Sequence, residues 1–84
     1  MQEVRIYVTT RCAYCVMAKR LLDSREIPYD SIDVTTDPDR RRWLVEATGQ
    51  RTVPQIFIGE QSIGGYEELS ALDRAGKLDA LLEG

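Results

Sequence analysis

The sequence predicts an α/β fold over residues 1–84 as one domain, a four-stranded mixed sheet flanked by helices in the order β-α-β-α-β-β-α-α. Three observations predict it. Runs rich in β-branched and aromatic residues alternate with segments of helical periodicity, proline and glycine mark the changes between them, and two short segments, "VPQIFI" and "QSI", flank a Gly59-Glu60 pair.

"VRIYVT" at Val4–Thr9 is the first strand, apolar enough to be buried. From Ala13 to Ser24 the pattern turns helical, with Ala18 and Leu22, and Met17 and Leu21, at i,i+4 spacing. "IPYDSIDV" restarts β character after Pro28, with Ile32 and Val34 on one face. "TDPDRRRWLVEATG" carries helix punctuation: Thr36 or Asp37 caps, Pro38 suits the first turn and Gly49 stops it, while Trp43 and Leu44 are assigned to the core. "VPQIFI" and "QSI" make a tight hairpin across Gly59-Glu60. "GGYEELSALDRAG" gives a glycine turn, a helix with an acidic first turn and a stop at Gly76. "KLDALLEG" ends in a short amphipathic helix whose Leu78, Leu81 and Leu82 face inward. A crossover helix separates strands 1 and 2, so they must be parallel, and the hairpin adds the antiparallel pair.

Composition removes several function classes. No run of about 18 apolar residues exists to span a bilayer, and "MQEVRIYV" lacks the apolar stretch of a secretion signal, so the expected location is cytoplasmic, with no membrane partner. Lys+Arg 11 against Asp+Glu 14 gives a net charge of -3, which argues against a nucleic-acid partner. "DRRRW" at Asp39–Trp43 is the one basic cluster, read as a solvated helix face or as a local attraction for a small anion.

The chemistry concentrates in "TTRCAYC" at Thr9–Cys15, between the first strand and its helix. In an open α/β sheet ligands gather at this level, beyond the carboxyl ends of the strands. A stapling role is disfavoured, because bridging Cys12 to Cys15 closes too short a loop to constrain the unfolded chain much. A structural zinc needs four ligands, and the chain has 2 Cys and His 0. Cys12 at a helix N-terminus and Cys15 one turn inside form the redox arrangement of a C-x-x-C beside a βαβ pattern. A metal cluster bridged between chains and a pair of inert cysteines are the alternatives.

Three separated motifs, "CAYC" at Cys12–Cys15, "TVPQIFI" at Thr52–Ile58 and "IGGYEEL" at Ile63–Leu69, resemble in this order a small bacterial dithiol glutaredoxin of the thioredoxin-like superfamily. The resemblance covers nearly the whole chain. It implies a glutathione-dependent thiol–disulfide oxidoreductase acting as a monomer on glutathionylated proteins and protein disulfides, with glutathione as co-substrate and no tightly bound cofactor. Cys12 would be the nucleophile and Cys15 the resolving thiol. The Val53–Pro54 bond is expected to be cis, leaving Val53 free to pair with the cysteine of glutathione, with Thr52 beside it.

By the same resemblance, Gly65 and the backbone N–H groups of Tyr66 and Glu67 would hold the γ-glutamyl carboxylate, with the Glu67 side chain near its amino group; Glu68 is ordinary acidic bias in a first turn. Arg51 and Arg41 would hold the glycine carboxylate, whereas Arg40 and Arg42 are read as solvated. Tyr14 walls the crevice. Many members carry Lys where Thr9 stands, and Arg11 supplies a positive charge there instead. Ala13 stands where many have Pro. Two rival functions follow: a homodimer holding a [2Fe–2S] cluster through Cys12 and two glutathiones, and a protein electron donor reduced by a reductase enzyme.

Overall fold

A computed structural model describes residues 1–84 and has the expected element order. The elements are β1 Val4–Val8, α1 Ala13–Ser24, β2 Asp30–Asp33, α2 Pro38–Thr48, β3 Gln55–Ile58, β4 Gln61–Gly64, α3 Tyr66–Arg74 and α4 Leu78–Glu83. The sheet order is β2-β1-β3-β4. β1 runs parallel to β2, Ile6 opposite Ser31, and antiparallel to β3, Ile6 opposite Ile56. β3 and β4 are antiparallel across the two-residue turn, which Gly59 enters with φ 60°.

Period-2 alternation along the central strands divides the core in two. Val4, Ile6, Val8, Ile56 and Ile58 point to one face, where Cys15, Ala18 and Leu22 of α1, Leu69 of α3 and Leu78 and Leu82 of α4 close the larger cluster. Tyr7 and Phe57 point to the other face, against Leu44 of α2 and Val34. The sheet therefore lies between α1, α3 and α4 on one side and α2 on the other. No helix is long and apolar enough to cross a membrane.

Helix signals behave as their chemistry requires. Asp37, not Thr36, caps α2, its Oδ1 accepting from the Arg40 N–H at 3.1 Å, with Pro38 behind it and Gly49 left-handed at φ 73°. The buried stripe of α1 is Cys15, Ala18 and Leu22, and Met17, turned about 100° from Ala18, remains 40% exposed. The core assignment of Trp43 needs correction: it is 42% exposed, lying over Tyr7 and Phe57 at ring-centroid distances of 5.7 and 5.8 Å, because Leu44 alone of α2 enters the small second core.

Candidate active site

β1 delivers the chain to the crevice through Thr9, Thr10 and Arg11, and Arg11 turns it with a left-handed φ of 57°. Cys12 is then the N-cap of α1. Its Sγ accepts from the Cys15 N–H at 3.1 Å, the place usually filled by a serine, threonine or aspartate oxygen. Cys12 and Cys15 form a disulfide with Cα atoms 5.2 Å apart, within the ordinary range for such a bridge. Cys12 is partly exposed, but Cys15 is only 3% exposed. Solvent reaches the first cysteine and not the second.

A short polar chain anchors the turn before Cys12. The Thr10 N–H donates to Thr35 Oγ1 at 2.9 Å, and the Thr35 N–H donates to Asp33 Oδ1 at 2.8 Å. Hydrogen bonds from the Thr35 side chain and then its amide hold the Asp33 carboxyl below its ordinary value of 3.8. A carboxyl depressed on folding stabilises the fold above its unfolded value and loses that contribution as the pH falls through the folded one. The Thr35 amide proton resonance should therefore titrate with a midpoint below 3.8 in the folded protein. A midpoint at or above that value in an NMR pH series would break the link.

Opposite Cys12, the Val53–Pro54 peptide bond is cis, and the Val53 carbonyl oxygen lies 3.8 Å from Cys12 Sγ. The third wall is the start of α3. Gly64 takes φ 112°, Gly65 is the N-cap, and the Gly65 N–H donates to Glu68 Oε1 at 2.7 Å, so Glu68 caps its own helix. Tyr66 and Glu67 occupy the first turn, where N–H groups have no intrahelical acceptor.

Together these elements bound a cleft of about 280 Å³, lined among others by Tyr14, Thr52, Val53, Pro54, Gly65 and Tyr66. Tyr14 and Tyr66 flank it with ring centroids 6.2 Å apart, and Tyr14 is 55% exposed. Glu67 lines the same cleft.

Five of the expected residues stand apart from that lining: Cys12 and Cys15, beside it at the start of α1, and three arginines. Arg51 is exposed on the rim between Gln50 and Thr52, and Arg41 reaches the same rim, its Nη2 donating to the Arg51 carbonyl at 3.4 Å. Arg11, exposed, precedes Cys12 without entering the cleft. Two lining residues, Gln50 and Glu68, were not among those expected from sequence. Glu68 belongs to the acidic first turn of α3, whereas Gln50 follows the α2 stop and carries only its adjacency to Arg51 as a signal.

A family model described as Glutaredoxin matches residues 4–63. The chain belongs to the glutaredoxin family. It is 48% identical over 82 residues to a glutaredoxin of Pseudomonas aeruginosa, covering 98% of each chain. It is 41% identical over 83 residues to glutaredoxin 3 of Escherichia coli K12, covering 99% of this chain and 100% of that one. Among solved structures it resembles a buckwheat glutaredoxin–glutathione complex, with TM-score 0.90, 34% identity, and coverage of 98% of this chain and 77% of that one. Glutaredoxins are thiol–disulfide oxidoreductases, and this member carries the pair such chemistry uses, two cysteines already at bonding distance across one helical turn.

Proposed function

We propose that this glutaredoxin uses glutathione as its co-substrate and reduces glutathione mixed disulfides and protein disulfides as a monomer in the cytoplasm. The observation that carries the reading is that Val53 and the start of α3 line one cleft, with Cys12 Sγ 3.8 Å from the Val53 carbonyl oxygen at its side. Its volume of about 280 Å³ is near the lower end of small-ligand sites, as suits a tripeptide. The likeness to a glutaredoxin solved with glutathione supports the same ligand.

In this reading the cysteine of glutathione lies along Val53 as a short added strand, with Thr52 and Pro54 on either side. Its γ-glutamyl carboxylate takes the N–H groups of Tyr66 and Glu67 beside Gly65, and the Glu67 carboxylate faces the amino group. The glycine carboxylate reaches the rim, where Arg51 and Arg41 supply charge. Tyr14 walls the cleft, and Arg11 adds positive potential beside Cys12.

The Cys12 thiolate attacks the glutathione sulfur of a mixed disulfide. The target's sulfur leaves as a thiolate and takes a proton from water, and Cys12 is left bonded to glutathione. A second glutathione thiolate attacks that glutathione sulfur, releasing glutathione disulfide and restoring the Cys12 thiolate. With a protein disulfide, Cys12 bonds one target sulfur and frees the other. Cys15 then attacks Cys12 Sγ, the target leaves fully reduced, and the Cys12–Cys15 disulfide remains for two glutathiones to reduce.

One chain does not fit a [2Fe–2S] cluster, which needs four ligands, because Cys15 is buried and Cys12 alone faces outward. A cluster would require a second chain and two external thiols.

A coupled assay tests the proposal: a glutathionylated peptide, glutathione, glutathione reductase and its nicotinamide cofactor. Turnover that depends on both protein and glutathione is expected, and a protein indifferent to glutathione would overturn the reading. In the same assay Arg51→Ala and Arg41→Ala should each raise KM about three- to tenfold and leave kcat within about twofold, since a rim charge acts on bound substrate and transition state alike. Unchanged KM in both variants would move the glycine carboxylate elsewhere.

A further inference from the structure

Gln55 is the one polar side chain in the core, 1% exposed, at the first position of β3 opposite Tyr7. Its Nε2 donates to the Thr52 carbonyl at 2.9 Å and lies 3.3 Å from Gln50 Oε1 and 3.4 Å from Thr52 Oγ1, while its Oε1 has no partner. An amide buried with half its capacity unmet is costly compared with an apolar side chain of the same size. Its contribution must therefore lie in what it holds.

It holds a peptide plane. The Thr52–Val53 bond is trans, so its C=O and N–H point in opposite directions from one rigid unit. Drawing the Thr52 carbonyl inward onto Gln55 turns the Val53 N–H outward. That N–H takes no partner within the protein, and Val53 lines the cleft. The next carbonyl along, that of Val53, lies 3.8 Å from Cys12 Sγ. The same amide also reaches Gln50 Oε1, so the two rim residues Gln50 and Thr52 are tied to one buried point.

We infer that Gln55 is a positioning residue that presents the Val53 backbone to the disulfide substrate; this rests on the glutathione reading above. Gln50 and Thr52 are exposed, so acceptors released from Gln55 find water. The loss is then one of orientation, felt in substrate binding, with the Cys12 thiol and the helix that caps it untouched.

Gln55→Met keeps the volume and burial but removes the donors, and Gln55→Leu provides a second apolar replacement. Each is expected to raise KM for a glutathionylated peptide about tenfold, with kcat within about twofold, as removal of uniform binding requires. Alkylation of reduced Cys12 by iodoacetamide should keep its wild-type rate, and thermal melting should stay at or above the wild-type midpoint. Unchanged KM in a folded variant overturns the inference, as does a parallel loss of kcat and alkylation rate, or unfolding of both variants, which would make Gln55 a structural residue only. The wild type is also compared on the same peptide carrying cysteine in place of glutathione. Equal kcat/KM on the two would remove the glutathione reading and this inference with it; a wild-type preference that Gln55→Met retains in full removes the inference alone.

Discussion

Cys12→Ser is expected to lower every thiol-exchange activity by at least about 10³-fold, because a serine hydroxyl at that position is neither a ready nucleophile nor a leaving group. Cys15→Ser is expected to keep removal of glutathione from a mixed disulfide and to lose reduction of protein disulfides. The asymmetry follows from placement. Cys12 Sγ is partly exposed at the start of α1 and accepts the Cys15 N–H at 3.1 Å, an arrangement that stabilises negative charge on that sulfur. Cys15 is 3% exposed among core side chains, so an external disulfide cannot reach it. It can reach only the sulfur beside it, which is the task of a resolving thiol. The two variants should be assayed in parallel on a glutathionylated peptide and on a protein disulfide, with thiolate absorbance followed against pH. Cys12 should alkylate first near neutral pH and titrate below Cys15. Residual deglutathionylation in Cys12→Ser, or a more acidic Cys15, would reverse the assignment of nucleophile and resolver.

Legibility in the sequence tracked how local the responsible physics was. The element order followed from periodicity and punctuation alone: Pro38 and Gly49 bracket α2, and Gly59-Glu60 marks the hairpin. The bound between Cys12 and its helix was equally local, since the cap hydrogen bond spans only three residues. Met17 and Trp43 were harder. Each sits next in sequence to a buried residue, Ala18 or Leu44, and which of two neighbours turns inward depends on how much core the facing sheet offers. The second face offers little, Tyr7, Val34 and Phe57 besides Leu44, so Trp43 is left over the edge of it.

The cleft shows the same division. Val53, Gly65 and Tyr66 come from segments that look significant separately, but their meeting with Cys12 depends on β3 and α3 docking beside α1. Gln50 and Gln55 could not be singled out from sequence. The contact between them spans five residues and exists only because the chain folds back between α2 and β3. A glutamine in a strand reads as an exposed position until the opposite face is known to be covered by a helix.

Gly64→Ala is expected to destabilise the fold by about 2–4 kcal/mol, from two sources that can be separated. Gly64 is buried at the end of β4 with φ 112°, a conformation that strains any side chain by about 1–3 kcal/mol. An added Cβ would also stand 2.7 Å from Glu68 Oε1, which accepts the Gly65 N–H. That carboxylate can swing away, so the contact itself costs little; what is lost is the cap on α3, worth about 1 kcal/mol. Glu68→Ala alone should show the cap loss, and the double variant should be less destabilised than the sum of the two singles, because the cap can be lost only once. With typical stabilities of about 5–15 kcal/mol the variant remains folded and can be assayed. The first turn of α3 would then be displaced from the cleft, and KM for a glutathionylated peptide should rise more than kcat falls. Urea denaturation of the four proteins makes the comparison. Strict additivity would mean that the new methyl group leaves the Glu68 cap undisturbed, and a Gly64→Ala protein within about 0.5 kcal/mol of wild type would show that the backbone at this turn can relax out of the left-handed region without moving the helix it starts.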